Sequence, residues 1–111
     1  MSGGAEKRRH VRLPLIAEIQ YVSNSPLLTA RISDISSSGI FIDTVNALDL
    51  GETVKFKLLL PPEISEMPIA GEGVVTWSQP MLGMGLRFTR MARADWERIK
   101  AYVDSNTAPE K

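Results

Sequence analysis

The sequence predicts a mainly β fold, with six short antiparallel strands forming a small barrel or sandwich and one C-terminal α-helix after them. Three observations carry this reading. Apolar and polar residues alternate in short runs; clusters of Gly, Pro, Asn, Asp and Ser separate those runs; and beyond Phe88 the apolar period changes to that of a helix. A chain of 111 residues is expected to form one domain with one core.

Taken in order, residues 1–7 are small and polar and are expected to be a disordered lead. Pro14 disfavours a helical Leu13, so the chain enters the domain extended. Residues 15–22 alternate, with Ala17, Ile19 and Tyr21 on one face and Glu18 and Gln20 on the other, as in a half-buried strand. A turn at 23–26 leads to a second strand over 27–35, a serine-rich turn over 34–39, and a third strand over 40–43. A loop with Asn46, Asp49 and Gly51 precedes a fourth strand over 53–60, which Pro61 and Pro62 stop because proline cannot donate to a ladder. The fifth strand, 69–78, contains Gly71 and Gly73, which suggest a bulge or sharp curvature. Gln79-Pro80-Met81 turns the chain into the last strand, 83–88. Met91, Trp96, Ile99 and Val103 can share one face of a helix over 91–104. Its N-cap is poor, with Ala92 where Ser or Thr is preferred, although Asp95 suits the helix dipole. Residues 105–111 are expected to be a disordered tail, and methionines 81, 84 and 91 to fill the barrel mouth.

Composition narrows the function. With 43% apolar and 23% charged residues and no run of membrane-spanning length, no membrane insertion is expected. No hydrophobic stretch succeeds the first residues as in a signal peptide, so the cytoplasm is the expected location. Cysteine is absent and histidine occurs once, which excludes disulfides and thiolate metal sites and argues against a histidine-based one, so no metal site is expected. Paired acids such as Asp43 and Asp49 lack a nucleophilic or basic partner at catalytic spacing, so no catalytic residue is expected. Thirteen basic and thirteen acidic residues cancel, leaving no global field for DNA or RNA; anion binding has to be local.

Two stretches could supply it. Lys7-Arg8-Arg9-His10-Val11-Arg12 is the one dense cluster of like charge. Arg8 and Arg12 lie at most about 14 Å apart in an extended chain, and each planar fork can grip a phosphate or the O6/N7 edge of a guanine. Asp34-Ile35-Ser36-Ser37-Ser38-Gly39 sets a carboxylate, a hydroxyl and a glycine at fixed offsets. Asp34 could accept from the N1–H or amine of a guanine, Ser36 could add a hydroxyl contact, and Gly39 would let the backbone come close. Each stretch alone also fits a blander role, a solvated tail or an ordinary serine turn.

Arg8-x-x-x-Arg12 and then Asp34-x-Ser36-x-x-Gly39, near the start of a short β-rich chain, resembles the PilZ domain, a bacterial receptor module for cyclic di-GMP. The similarity extends to about Val103 and includes Gly85 in Gly83-Met84-Gly85-Leu86-Arg87-Phe88, which looks like the last strand of the family. The resemblance implies a six-stranded antiparallel split barrel over 15–88 with a basic arm, 8–14, that wraps over the ligand. It implies Arg8, Arg12, Asp34, Ser36 and Gly39 as ligand contacts and Arg9 as an auxiliary one. The resemblance also places Lys7 where the family varies and where the number of ligand molecules held, one or two, is influenced. A strand tryptophan such as Trp77 is more often core than platform, but in some PilZ domains an aromatic at this strand end stacks on a guanine.

The same resemblance implies a non-enzymatic receptor without a cofactor, monomeric or dimerising with ligand. Having no output domain on this chain, it is expected to act in trans on an effector protein, in motility, biofilm or surface behaviour. The alternative is a PilZ-like adaptor that binds protein rather than cyclic di-GMP. Such adaptors commonly lack the arginine motif that is kept here.

Overall fold

The structure, a computed structural model, describes residues 12–24 and 26–106. The expectations for Lys7, Arg8, Arg9, the lead at 1–7 and most of the tail lie outside the described residues. Six strands are formed: β1 (Leu13–Val22), β2 (Leu28–Ile35), β3 (Gly39–Asp43), β4 (Thr53–Leu59), β5 (Ile69–Gln79) and β6 (Gly83–Met91), and then helix α1 (Arg93–Ser105). They close into an antiparallel barrel in the order β1-β2-β3-β6-β5-β4, with β4 returning to pair with β1. Among the described residues, no helix is long and apolar enough to cross a membrane.

The alternation read from the sequence builds the interior. Ala17, Ile19 and Tyr21 of β1, Val54, Phe56 and Leu58 of β4, and Ile40 and Ile42 of β3 point into one core. Each fully buried isoleucine adds roughly 1.5–3 kcal/mol of transfer free energy, so the inward set fixes the register of every strand. Helix α1 seats Ile99 and Val103, four residues apart, in that same core. Its start has no side-chain cap at Ala92, and Asp95 lies in its first turn.

Three expectations need correction. Met91 does not begin the helix: it ends β6, because Gly71 of β5 pairs with it and Glu72 with Arg90. Ser105, expected in the tail, is the last helical residue. Met81 does not fill the barrel mouth. It is 74% exposed at the β5–β6 turn, whereas Met84 is fully buried.

Bulges decide which side chains leave the interior. Between Ile32↔Ile42 and Asp34↔Phe41, β2 carries one residue more than β3, and between Val75↔Leu86 and Trp77↔Gly85, β5 carries one more than β6. An inserted residue breaks the period of two, so the side chain after it emerges on the opposite face. Ile32 and Val75 point inward, and strict alternation would turn Asp34 and Trp77 inward as well. The extra residues Ser33 and Thr76 instead put both on the outer surface.

Candidate functional site

The two displaced side chains belong to one row. Asp34 of β2 pairs with Phe41 of β3, Phe41 with Gly85 of β6, and Gly85 with Trp77 of β5. At about 4.8 Å per strand the row runs roughly 14 Å across the outer wall. A carboxylate stands at one end and an indole, 44% exposed, at the other. Gly85 has no side chain to separate its neighbours, and the rings of Phe41 and Trp77 meet across it with centroids 5.5 Å apart and planes tilted by 45°. The bulge residue Thr76 donates its hydroxyl to the Gly85 carbonyl at 3.4 Å, tying the bulge to the strand beside it.

Arg12 closes the acidic end. Its Nε donates to Asp34 Oδ1 at 2.7 Å, and its Nη2 lies 2.7 Å from the same oxygen. Pro14 pairs with Asp34 across β1 and β2, so the chain leaving β1 towards its N-terminus passes the carboxylate. A concavity of about 440 Å³ opens beside the pair, and Arg12, Gly39, Phe41, Trp77, Gly85 and Arg87 are among its lining residues. The outcome is a surface with an apolar floor, two guanidinium groups and a carboxylate at its edge. Planar rings can lie on such a floor while acceptor groups meet the cations.

The turn from β2 to β3 holds this geometry from beneath. Ser36 is wholly buried, and its hydroxyl accepts from the backbone N–H groups of Ser38 and Gly39, each at 3.1 Å. Its own N–H donates to the Gly39 carbonyl at 2.9 Å. In this structure the Ser36 hydroxyl builds the turn. Gly39 permits a close approach to β6, where a Cβ would collide with the backbone carbonyl of Leu86. Trp96 of α1 secures the same turn, its Nε1 donating to the Ser37 carbonyl at 2.9 Å.

Of the residues singled out in the sequence, Arg12, Asp34, Gly39, Trp77 and Gly85 come together, and Ser36 lies under them. Phe41 and Arg87 were missed. Phe41 sits inside the apolar run from Ile40 to Ile42, and Arg87 looks like any exposed strand cation. The glycine at position 85, opposite two aromatic strands, was the available signal, since a glycine inside a strand marks a bulge or a close approach. A larger hollow of about 720 Å³ lies between the start of α1 and β4–β6, near Phe56, Phe88, Arg90 and Trp96. Among the described residues, its lining includes neither Arg12 nor any member of the row.

The family model described as PilZ domain matches residues 6–105, nearly the whole chain. The chain belongs to the PilZ domain family. The fold agrees with that membership. The chain is similar to the Bacillus subtilis inhibitor of motility MotI/DgrA, with a TM-score of 0.72 and 22% identity, over 89% of this chain and 50% of that one. It therefore spans about half the length of that protein. It is also similar to the PilZ domain of CeSA from a cellulose-synthesizing bacterium, with a TM-score of 0.62 and 13% identity, over 86% of this chain and 96% of that one. No curated protein matches the chain in sequence. At these identities the likeness to both structures is one of fold, and the ligand has to be argued from the PilZ site itself.

Proposed function

We propose that this PilZ domain is a non-enzymatic receptor for cyclic di-GMP that signals in trans to a partner protein, in motility, biofilm or surface behaviour. The observation that carries the reading is the meeting of Arg12 with Asp34 at the edge of an aromatic-floored concavity. An arginine offers only donors and a carboxylate only acceptors, and a guanine presents O6/N7 acceptors on one edge and N1–H and amine donors on another. The ion pair is therefore the guanine-reading pair in its closed state. A bound base gives Asp34 replacement donors and frees Arg12 for the acceptor edge or a phosphate.

The remaining residues take supporting roles. Phe41 and Trp77 offer faces to a base, which gives Trp77 the platform role that some PilZ domains assign to an aromatic at this strand end. Ser36 and Gly39 hold the turn and β3 in place. Arg8 and Arg9 join from the arm, with Lys7 influencing how many ligand molecules are held. Ordering the arm costs conformational entropy that phosphate pairing offsets, and that order change is what a partner senses.

Calorimetric titration with cyclic di-GMP tests the proposal. Saturable binding to the wild type that disappears in Arg8→Ala and Asp34→Ala supports it, and flat heats with folded wild-type protein overturn it. In a Trp96→Phe background Trp77 becomes the sole tryptophan, so its fluorescence should change as ligand is added.

A further inference from the structure

We infer that Arg87 is a second ligand-gripping residue, dedicated to a phosphodiester of the cyclic dinucleotide; the inference rests on the receptor reading of this same site. Arg87 is exposed on the outer face of β6, two residues from Gly85 and directly opposite Gly39 of β3. It lines the same concavity as Arg12, Phe41 and Trp77. Its guanidinium has no hydrogen-bond or ion-pair partner among the described residues, while that of Arg12 is taken by Asp34. Of the two described arginines that line the concavity, one is therefore paired and the other is not.

The surroundings of each cation say what it holds. Arg12 stands beside an acceptor, so the pair matches a guanine, which needs a donor and an acceptor together. Among the described residues, no Asp or Glu lines the concavity around Arg87. A group with acceptors alone fits such a place, and in this ligand class that group is the phosphodiester. With the bases on the Phe41–Trp77 floor, a phosphate is left to meet Arg87 at the rim. The position also explains how ligand can engage before Arg12 is released, because Arg87 offers a charge-assisted contact without breaking an existing pair.

Titration of cyclic di-GMP into wild type, Arg87→Ala, Arg87→Gln and Arg87→Lys tests this, with thermal melting of each to show that the barrel is intact. Neutral variants should bind about tenfold more weakly, and lysine should restore most of the loss because a phosphate accepts a point charge. Wild-type affinity in folded Arg87→Ala and Arg87→Gln, while Arg12→Ala still abolishes binding, overturns the role of Arg87 and leaves the receptor reading standing. A lysine variant as weak as alanine overturns the phosphate assignment in favour of a base edge. Flat heats from the wild type overturn the receptor reading, and this inference with it.

Discussion

Arg12 and Asp34, twenty-two positions apart, meet through a single oxygen, with Nε and Nη2 of the arginine each 2.7 Å from Oδ1. Both side chains stay partly in water, at 40% and 31% exposure. A solvent-screened pair of this kind contributes no more than about 1 kcal/mol. Arg12→Ala and Asp34→Ala should each lower stability by less than about 1 kcal/mol in urea denaturation while removing cyclic di-GMP binding. A loss of several kcal/mol would mean that the pair serves the fold rather than the ligand.

Gly39 and Gly85 should respond oppositely to a methyl group. At Gly39 the added Cβ would run into the Leu86 carbonyl, and backbone on a central strand of a closed barrel has little room to yield. Gly39→Ala should cost about 3 kcal/mol. At Gly85 the nearest atoms, Trp77 Cβ and Thr76 Oγ1, lie at ordinary contact distances of 3.6 and 3.7 Å. Gly85→Ala should stay within about 1 kcal/mol of wild type, with its effect confined to ligand affinity. Denaturant midpoints for the two variants check the contrast.

Tyr21 gives the barrel an alkaline limit. Burial raises its phenol above the ordinary value of 10.0, and the hydrogen bond with Thr44 at 2.8 Å offsets part of that. As pH rises past 10.0 the unfolded chain loses this proton first. The stabilisation is thus complete below that pH and lost as pH climbs through the folded value. Tyr21→Phe should cost about 1 kcal/mol at neutral pH and remove this part of the alkaline decline, as denaturation at pH 8 to about 11 would reveal.

Met81 occupies a position that favours glycine. Two turns close through an N–H to the carbonyl three residues back, Glu52 to Asp49 and Leu82 to Gln79. Gly51 takes the third place of one with φ of 85°, and Met81 the third place of the other with φ of 71°. A Cβ is crowded in that conformation, and the side chain is solvent-exposed and makes little packing to offset it. Met81→Gly should therefore stabilise the protein by roughly 0.5–1 kcal/mol in urea denaturation. A neutral or destabilising result would show that the methionine makes contacts worth as much as the strain.

The strands were legible in the sequence because each carries its own period. Residues 15–22 and 53–60 alternate so plainly that no partner is needed to orient them, and Pro61 marks where one ends. The helix core positions, Ile99 and Val103, were legible for the same reason. Features that depend on pairing with distant residues were not. Met91 extends β6 only because Gly71 lies opposite, and nothing in the local run of residues records that. Trp77 reads as core because a strand tryptophan usually is, and the alternation around it leaves the wet face open until the count across β5 and β6 reveals the extra Thr76. The site obeyed the same division. Arg12 and Asp34 declare their chemistry, whereas Phe41 hides in an apolar run and Ser36 has a hydroxyl whose direction the turn alone determines.

The bond from the Trp96 indole to the Ser37 carbonyl joins the helix to the turn that follows the strand carrying the carboxylate. Thermodynamic linkage makes such a tether a two-way road. Whatever factor a docked protein imposes on nucleotide affinity by tugging α1, the nucleotide must impose on that protein in return, so either could be titrated to learn the strength of the other.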